Sequence, residues 1–219
     1  MSAYHPPDES RIEKIDVLLA LFPLYSEDLG IDLSEPAGRF KWFLASILFG
    51  ARISERIAAN TYRQFEIAGV DTPDAIIEAG WDRLVEILDS GGYVRYDFST
   101  ASKLLDIMSS LKQKYGSLEN LYYQTSGTRD LERRLQEFKG IGPMTVQIFL
   151  RELRGQWKIQ PAVSKIAQSV ARNLDINVRD FEGERLARIE TALVKLGLGY
   201  CKKRKCSECP MKRFWIANE

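Results

Sequence analysis

Hydrophobic positions recur at three- and four-residue spacing through most of the chain, and no stretch sustains the period-two alternation of a strand. Ile12, Ile15, Leu18 and Leu19 form a stripe that predicts a helix over residues 11 to about 21, capped by Ser10 or Asp8 and ended at Pro23. Residues 24–39, which include Pro36 and Gly38, carry little periodicity and read as a linker. An apolar pattern then returns over residues 40 to about 65, through Trp42, Phe43, Ile47 and Leu48 and on to Ile57, Ala58 and Tyr62. Residues 50–54 interrupt it, which predicts two helices joined by a short turn, with Ser54 as the cap of the second and Glu55 in its first turn. Thr72 and Pro73 open another helix, and residues 81–88 give a further short one. A loop over residues 90–100 leads into a helix over 101–115, a short helical piece follows at 118–123, and Asp130 starts the next. Pro161 and Ala162 are expected to lead into a helix through Leu174, with another over 183–196 and a loop at 202–209. The pattern predicts an all-α protein.

The chain is organised around residues 135–150. Leu131, Leu135 and Phe138 recur at helical spacing, Gly140, Ile141 and Gly142 break the helix, and Pro143 opens another. Proline suits a first helical position, because the amide it lacks has no partner there in any case. Val146, Ile148, Phe149 and Leu150 continue the apolar face. The reading is helix, glycine hairpin, helix. Glycine permits the positive φ of a tight hairpin and a close backbone approach by another molecule. The amides of the hairpin and of the next helix's first turn then form an anion site, with the charge of Lys139 beside it.

The run Phe138-Lys-Gly-Ile-Gly-Pro-Met-Thr-Val146 resembles the helix-hairpin-helix of the endonuclease III and alkyladenine glycosylase superfamily of DNA repair enzymes. Arg151 and the segment Gln160-Pro-Ala-Val-Ser-Lys-Ile166 follow where that family places its catalytic aspartate, and a cysteine cluster closes the chain as in endonuclease III. The resemblance covers roughly residues 40 to 215. It implies a two-lobed helix-hairpin-helix glycosylase fold, with residues 1–39 and 155–219 forming one lobe and residues 40–154 a helical barrel. Double-stranded DNA would lie in the cleft, contacted by Lys139, Gly140, Ile141, Gly142 and Thr145 of the hairpin. Arg52 falls where the family inserts a polar side chain into the gap left by a flipped nucleotide; a solvated surface arginine is the plain alternative. Tyr93, Arg95 and Tyr96, in a segment similar to the family's Gly-x-Tyr loop, either reach bases and phosphates or pack the loop down.

The family's reacting groups are missing. Members that cut the strand place a nucleophilic lysine two residues after the second hairpin glycine, and here that residue is Met144. The aspartate that stabilises charge on the departing sugar aligns with Ser164 in one register and Val163 in the other, followed directly by Lys165. Asp97, in the loop before the helix at 101, is the remaining candidate carboxylate. Endonuclease III holds an iron–sulfur cluster on Cys-x6-Cys-x2-Cys-x5-Cys. This chain has Cys201-x4-Cys206-x2-Cys209, with Trp215 in the fourth place. The expected state is no cofactor. The alternative is an iron–sulfur cluster or zinc on Cys201, Cys206 and Cys209, with the lone histidine, His5, not obviously near.

Composition narrows this further. At 219 residues, 45% hydrophobic and 28% charged, the chain can bury one core or two small ones without disulfides. No apolar run approaches a membrane span, and the N-terminus lacks signal-peptide character. The expectation is a cytoplasmic monomer, nucleoid-associated if prokaryotic. A net charge of +1 excludes a global basic field, so DNA affinity must come from local patches. Lys202, Lys203, Arg204 and Lys205 form one, which is either a phosphate contact or a solvated run. Three functions fit: a binder of damaged or distorted DNA without the ordinary glycosylase or lyase chemistry, a monofunctional glycosylase with an atypical catalytic residue, or a protein-interaction scaffold.

Overall fold

The computed structural model describes residues 9–215, with side chains from residue 12; His5 lies outside them. Among the described residues there is no strand. The helices are α1 (Glu9–Leu21), α2 (Tyr25–Asp28), α3 (Pro36–Phe49), α4 (Glu55–Ile67), α5 (Pro73–Ser90), α6 (Asp97–Tyr115), α7 (Leu118–Tyr123), α8 (Thr128–Gln136), α9 (Pro143–Glu152), α10 (Lys165–Asn173) and α11 (Gly183–Leu196). The helix starts follow local chemistry. Ser54, Thr72, Ser117 and Ser164 each turn a hydroxyl onto the amide three residues on, at 3.1–3.4 Å, which satisfies a donor the helix itself leaves open. Pro36, Pro73 and Pro143 open theirs. The two pieces expected around residues 73–88 form α5, kinked at Gly80 with φ +68°.

Two expectations change. Residues 24–39 are no linker, because Tyr25, Leu29, Ile31 and Leu33 are buried in the core and the stretch contains α2 and the start of α3. Their spacing escapes a helical template since Leu29, Ile31 and Leu33 lie between the helices. Helix α6 begins at Asp97 rather than near residue 101, so Asp97 lies in its first turn and not in the preceding loop.

The apolar residues gather into two cores. One collects residues from Tyr25 to Ile159, including Trp42, Phe43, Leu104, Leu135, Phe149 and Trp157. The other joins Ile15 and Leu18 of α1 to α10, α11 and the C-terminal turns as far as Met211. Helix α9 bridges them, packing on α3 and on α11, and its end carries a buried polar seam. The Glu152 carboxylate accepts from the amides of Tyr25 and Ser26 at 2.9 and 3.0 Å, from Ser26 Oγ at 2.7 Å and from Thr191 Oγ1 at 3.2 Å. It thereby caps α2. Arg154 Nη2 donates to Glu190 Oε2 at 2.7 Å, and both side chains are essentially solvent-free. Lys195 donates to Pro23 O and pairs with Asp28. Buried charges of this kind hold one geometry, since breaking a pair strands an unpaired charge.

Candidate nucleic-acid interface

The hairpin between α8 and α9 is built as its residue types require. Phe138 and Ile141 are buried and anchor it, with the Ile141 amide donating to Phe138 O at 3.0 Å. Gly140 has φ +87°, whereas Gly142 is extended at φ −97°. Only the first glycine therefore needs its conformational freedom. A Cβ on Gly142 would meet nothing within 4 Å, so the space beside it is left open on the outside. Among the described residues, the amides of Gly140, Gly142, Met144 and Thr145 donate to no protein acceptor. They stand at the positive end of α9, the arrangement that attracts an anion.

The turn between α3 and α4 is locked to this hairpin. A Cβ on Gly50 would fall 2.2 Å from Thr145 Oγ1, so the Thr145 side chain packs against this turn only because residue 50 is glycine. This contact brings exposed Arg52 and the hairpin to one cavity of about 700 Å³. Its walls come from Gly50, Ala51 and Arg52, from Tyr93 and Tyr96, from α6 through Ser99 to Asp106, and from Lys139 and Gly140. Lys139 is exposed, 3.7 Å from Asp106. Lys103 runs along the hairpin, where a Cβ on Gly140 would meet its stem at 2.9 Å. Burial holds the Lys103 ammonium below the usual lysine range. No sequence motif marked Lys103. It emerges only because α6 and the hairpin meet.

The remaining candidates separate. Ile141 and Thr145 bury their side chains, so a DNA contact from either would run through backbone. Tyr93 is buried, while Arg95 lies 5.5 Å over the Tyr96 ring. Met144 is exposed beside the open amides. Ser164 is buried as the cap of α10, and its own amide donates to Glu190 Oε1 at 2.8 Å. The neighbouring Val163 is half-buried against the second core. Asp97 is buried beside Asp89, whose carboxyl is pushed up by desolvation and by a hydrogen bond to Asp97, and Asp97 does not line the cavity. The carboxylate nearest to Ser164 by hydrogen bonding is Glu190, which sequence reasoning missed. It is solvent-free and already committed to Arg154.

The C-terminal loop presents Lys202, Lys203, Arg204 and Lys205 as an exposed run, with Lys205 paired to Glu208 at 3.1 Å. Cys209 is buried, Cys201 half-buried and Cys206 exposed. Burial and the neighbouring thiols push the Cys201 thiol up. Among the described residues no three His, Cys, Asp or Glu side chains are grouped to hold a metal ion. Trp215 takes the fourth place in the chain. The loop therefore lacks the fourth thiolate of the endonuclease III pattern.

No family model matches the sequence, and no curated protein matches it. Among solved structures, the fold is similar to that of H. pylori 3-methyladenine DNA glycosylase (MagIII) bound to 1,N6-ethenoadenine. The TM-score is 0.50 at 15% identity, over 85% of this chain and 97% of that one. An all-α chain with a glycine hairpin between α8 and α9 and two cores joined through α9 thus has the fold of the helix-hairpin-helix DNA glycosylases.

Proposed function

We propose that this protein binds double-stranded DNA and recognises damaged or distorted sites, without the glycosylase or lyase chemistry of the family's usual positions. The observation that carries this reading is the set of open amides at Gly140, Gly142, Met144 and Thr145, with free space at Gly142 and the Arg52–Lys103–Lys139 cavity alongside. Such a hairpin grips a phosphate through backbone donors, which position a protein on DNA without reading its sequence. In this reading the two cores act as two lobes with DNA between them, and the Lys202–Lys205 run adds phosphate contacts. Arg52 enters the duplex where a base is displaced. At the family's reacting positions stand Met144, Val163 and a Ser164 that serves as a helix cap, none of which carries a charge.

The test is a panel of duplexes carrying alkylated, deaminated, mismatched or missing bases, scored for binding and for base release together. Tighter binding to at least one modified duplex than to its intact counterpart, with no base release, is the expected result. Base release would replace this reading with that of an active monofunctional glycosylase. Absence of any DNA binding would leave the interaction scaffold.

A further inference from the structure

We propose that Cys206 and Cys209 form a thiol–disulfide exchange site, at which exposed Cys206 takes an anionic low-molecular-weight disulfide and buried Cys209 resolves it. Neither thiol is needed for the DNA-binding reading above. The three cysteines are free and differ in place. Cys206 is exposed at the start of the short turn Cys206–Glu208, Cys201 is half-buried before the basic run, and Cys209 is 6% exposed in the second core. The Cys209 amide donates to Cys206 O at 3.4 Å, which closes one turn over Ser207 and Glu208. A turn of this kind holds its end Cα atoms within about 7 Å, and a disulfide spans about 4.4–6.8 Å between Cα atoms. The turn thus brings the two backbones to a separation that a bridge can span. Cys201 opens a different turn, its carbonyl accepting from the Arg204 amide at 3.1 Å, and the basic run separates it from Cys206.

Reactive thiols sit in electropositive, partly open surroundings. Lys202, Lys203, Arg204 and Lys205 precede Cys206, and Lys212 and Arg213 follow Cys209, all of them exposed. Against them stands Glu208, inside the turn and paired to Lys205 at 3.1 Å, while Arg213 is held by Glu13 at 2.8 Å. The cations left over favour an incoming disulfide that carries carboxylates. The Cys206 thiolate attacks one sulfur of the small disulfide RSSR, forms a mixed disulfide and expels RS⁻. The Cys209 thiolate then attacks the Cys206 sulfur and expels the second RS⁻. The protein dithiol gives up two protons and two electrons, and the small disulfide takes them up as two thiols. The product closes the turn covalently around Glu208 and leaves Cys201 reduced.

The test is incubation of the reduced full-length protein with oxidised glutathione under argon, followed by alkylation, thiol counting and peptide mapping. Wild type should lose two of its three thiols and yield a Cys206–Cys209 disulfide that dithiothreitol reverses. Cys209→Ala should instead accumulate glutathione on Cys206. Cys206→Ser, at an exposed position, should abolish both products with an unchanged thermal midpoint, and Cys201→Ser should leave the bridge in place. Added salt should slow the reaction with oxidised glutathione and speed that with cationic cystamine; the same sign for both overturns the preference for an anion. A bridge that involves Cys201, a bridge that forms in Cys206→Ser, or three thiols that persist in the folded wild type overturns the site. If Cys209→Ala does not fold, the Cys206→Ser and Cys201→Ser proteins decide between the pairs.

Discussion

Replacing Gly142 with alanine separates the demands of the fold from those of a ligand. In the folded protein Gly142 has φ −97°, a value alanine adopts freely, and the added Cβ meets nothing within 4 Å. Alanine is the poorer helix N-cap, by about 0.5–1 kcal/mol. It also restricts the unfolded chain, which returns about 0.4–1 kcal/mol. The two effects nearly cancel, so stability should stay within about 0.5 kcal/mol of wild type, a shift of roughly 1–2 °C in the midpoint for a chain of this size. The methyl group would nevertheless occupy the space through which a phosphate approaches the amides of Gly142 and Met144. Losing one charge-assisted hydrogen bond costs about 1.5–3 kcal/mol, or roughly 10- to 150-fold in affinity. Gly140→Ala is the informative contrast. Its φ of +87° and the 2.9 Å approach to Lys103 make alanine strained there, at about 1–3 kcal/mol of stability. Calorimetry and fluorescence anisotropy on a labelled duplex measure both quantities. A Gly142→Ala protein that melts like wild type and binds DNA equally well would refute the placement of phosphate at this hairpin.

Three further outcomes are expected. Changing Lys202, Lys203, Arg204 and Lys205 to alanine together should flatten the dependence of log affinity on log salt by roughly 0.9 for each phosphate no longer neutralised; an unchanged slope takes the loop out of the interface. Glu190→Gln should destabilise the protein by about 3–5 kcal/mol in urea, because the Arg154 charge is left buried without its partner, and a loss below about 1 kcal/mol would show that the pair does not join the cores. Lys103→Met should raise the melting midpoint at neutral pH. Burial lowers the lysine's folded-state pKa below its unfolded value, so the penalty is complete below the folded value and fades as pH rises toward the unfolded value, near 10.4. A stabilisation that grows with pH would contradict this sign.

The sequence by itself determined most helix positions, their caps and the hairpin, because these depend on contacts within one or two turns. Ser54, Thr72 and Ser164 each serve an amide three residues away, and Pro143 and Gly140 act through their own backbone preferences. The resemblance, counted along the chain from the hairpin, aligns Met144 and Ser164 with the reacting positions of that family, an expectation that rests on the sequence alone. Periodicity misread residues 24–39, whose buried Tyr25, Leu29, Ile31 and Leu33 follow no helical period. Only the tertiary structure decided which distant groups meet. The Glu152 carboxylate caps a helix 126 residues earlier in the chain, and Glu190 supports the start of α10 across 26 residues. Lys103 is desolvated because α6 packs against the hairpin, where its stem lies beside Gly140. Desolvation belongs to a surrounding volume, and no local spacing encodes it.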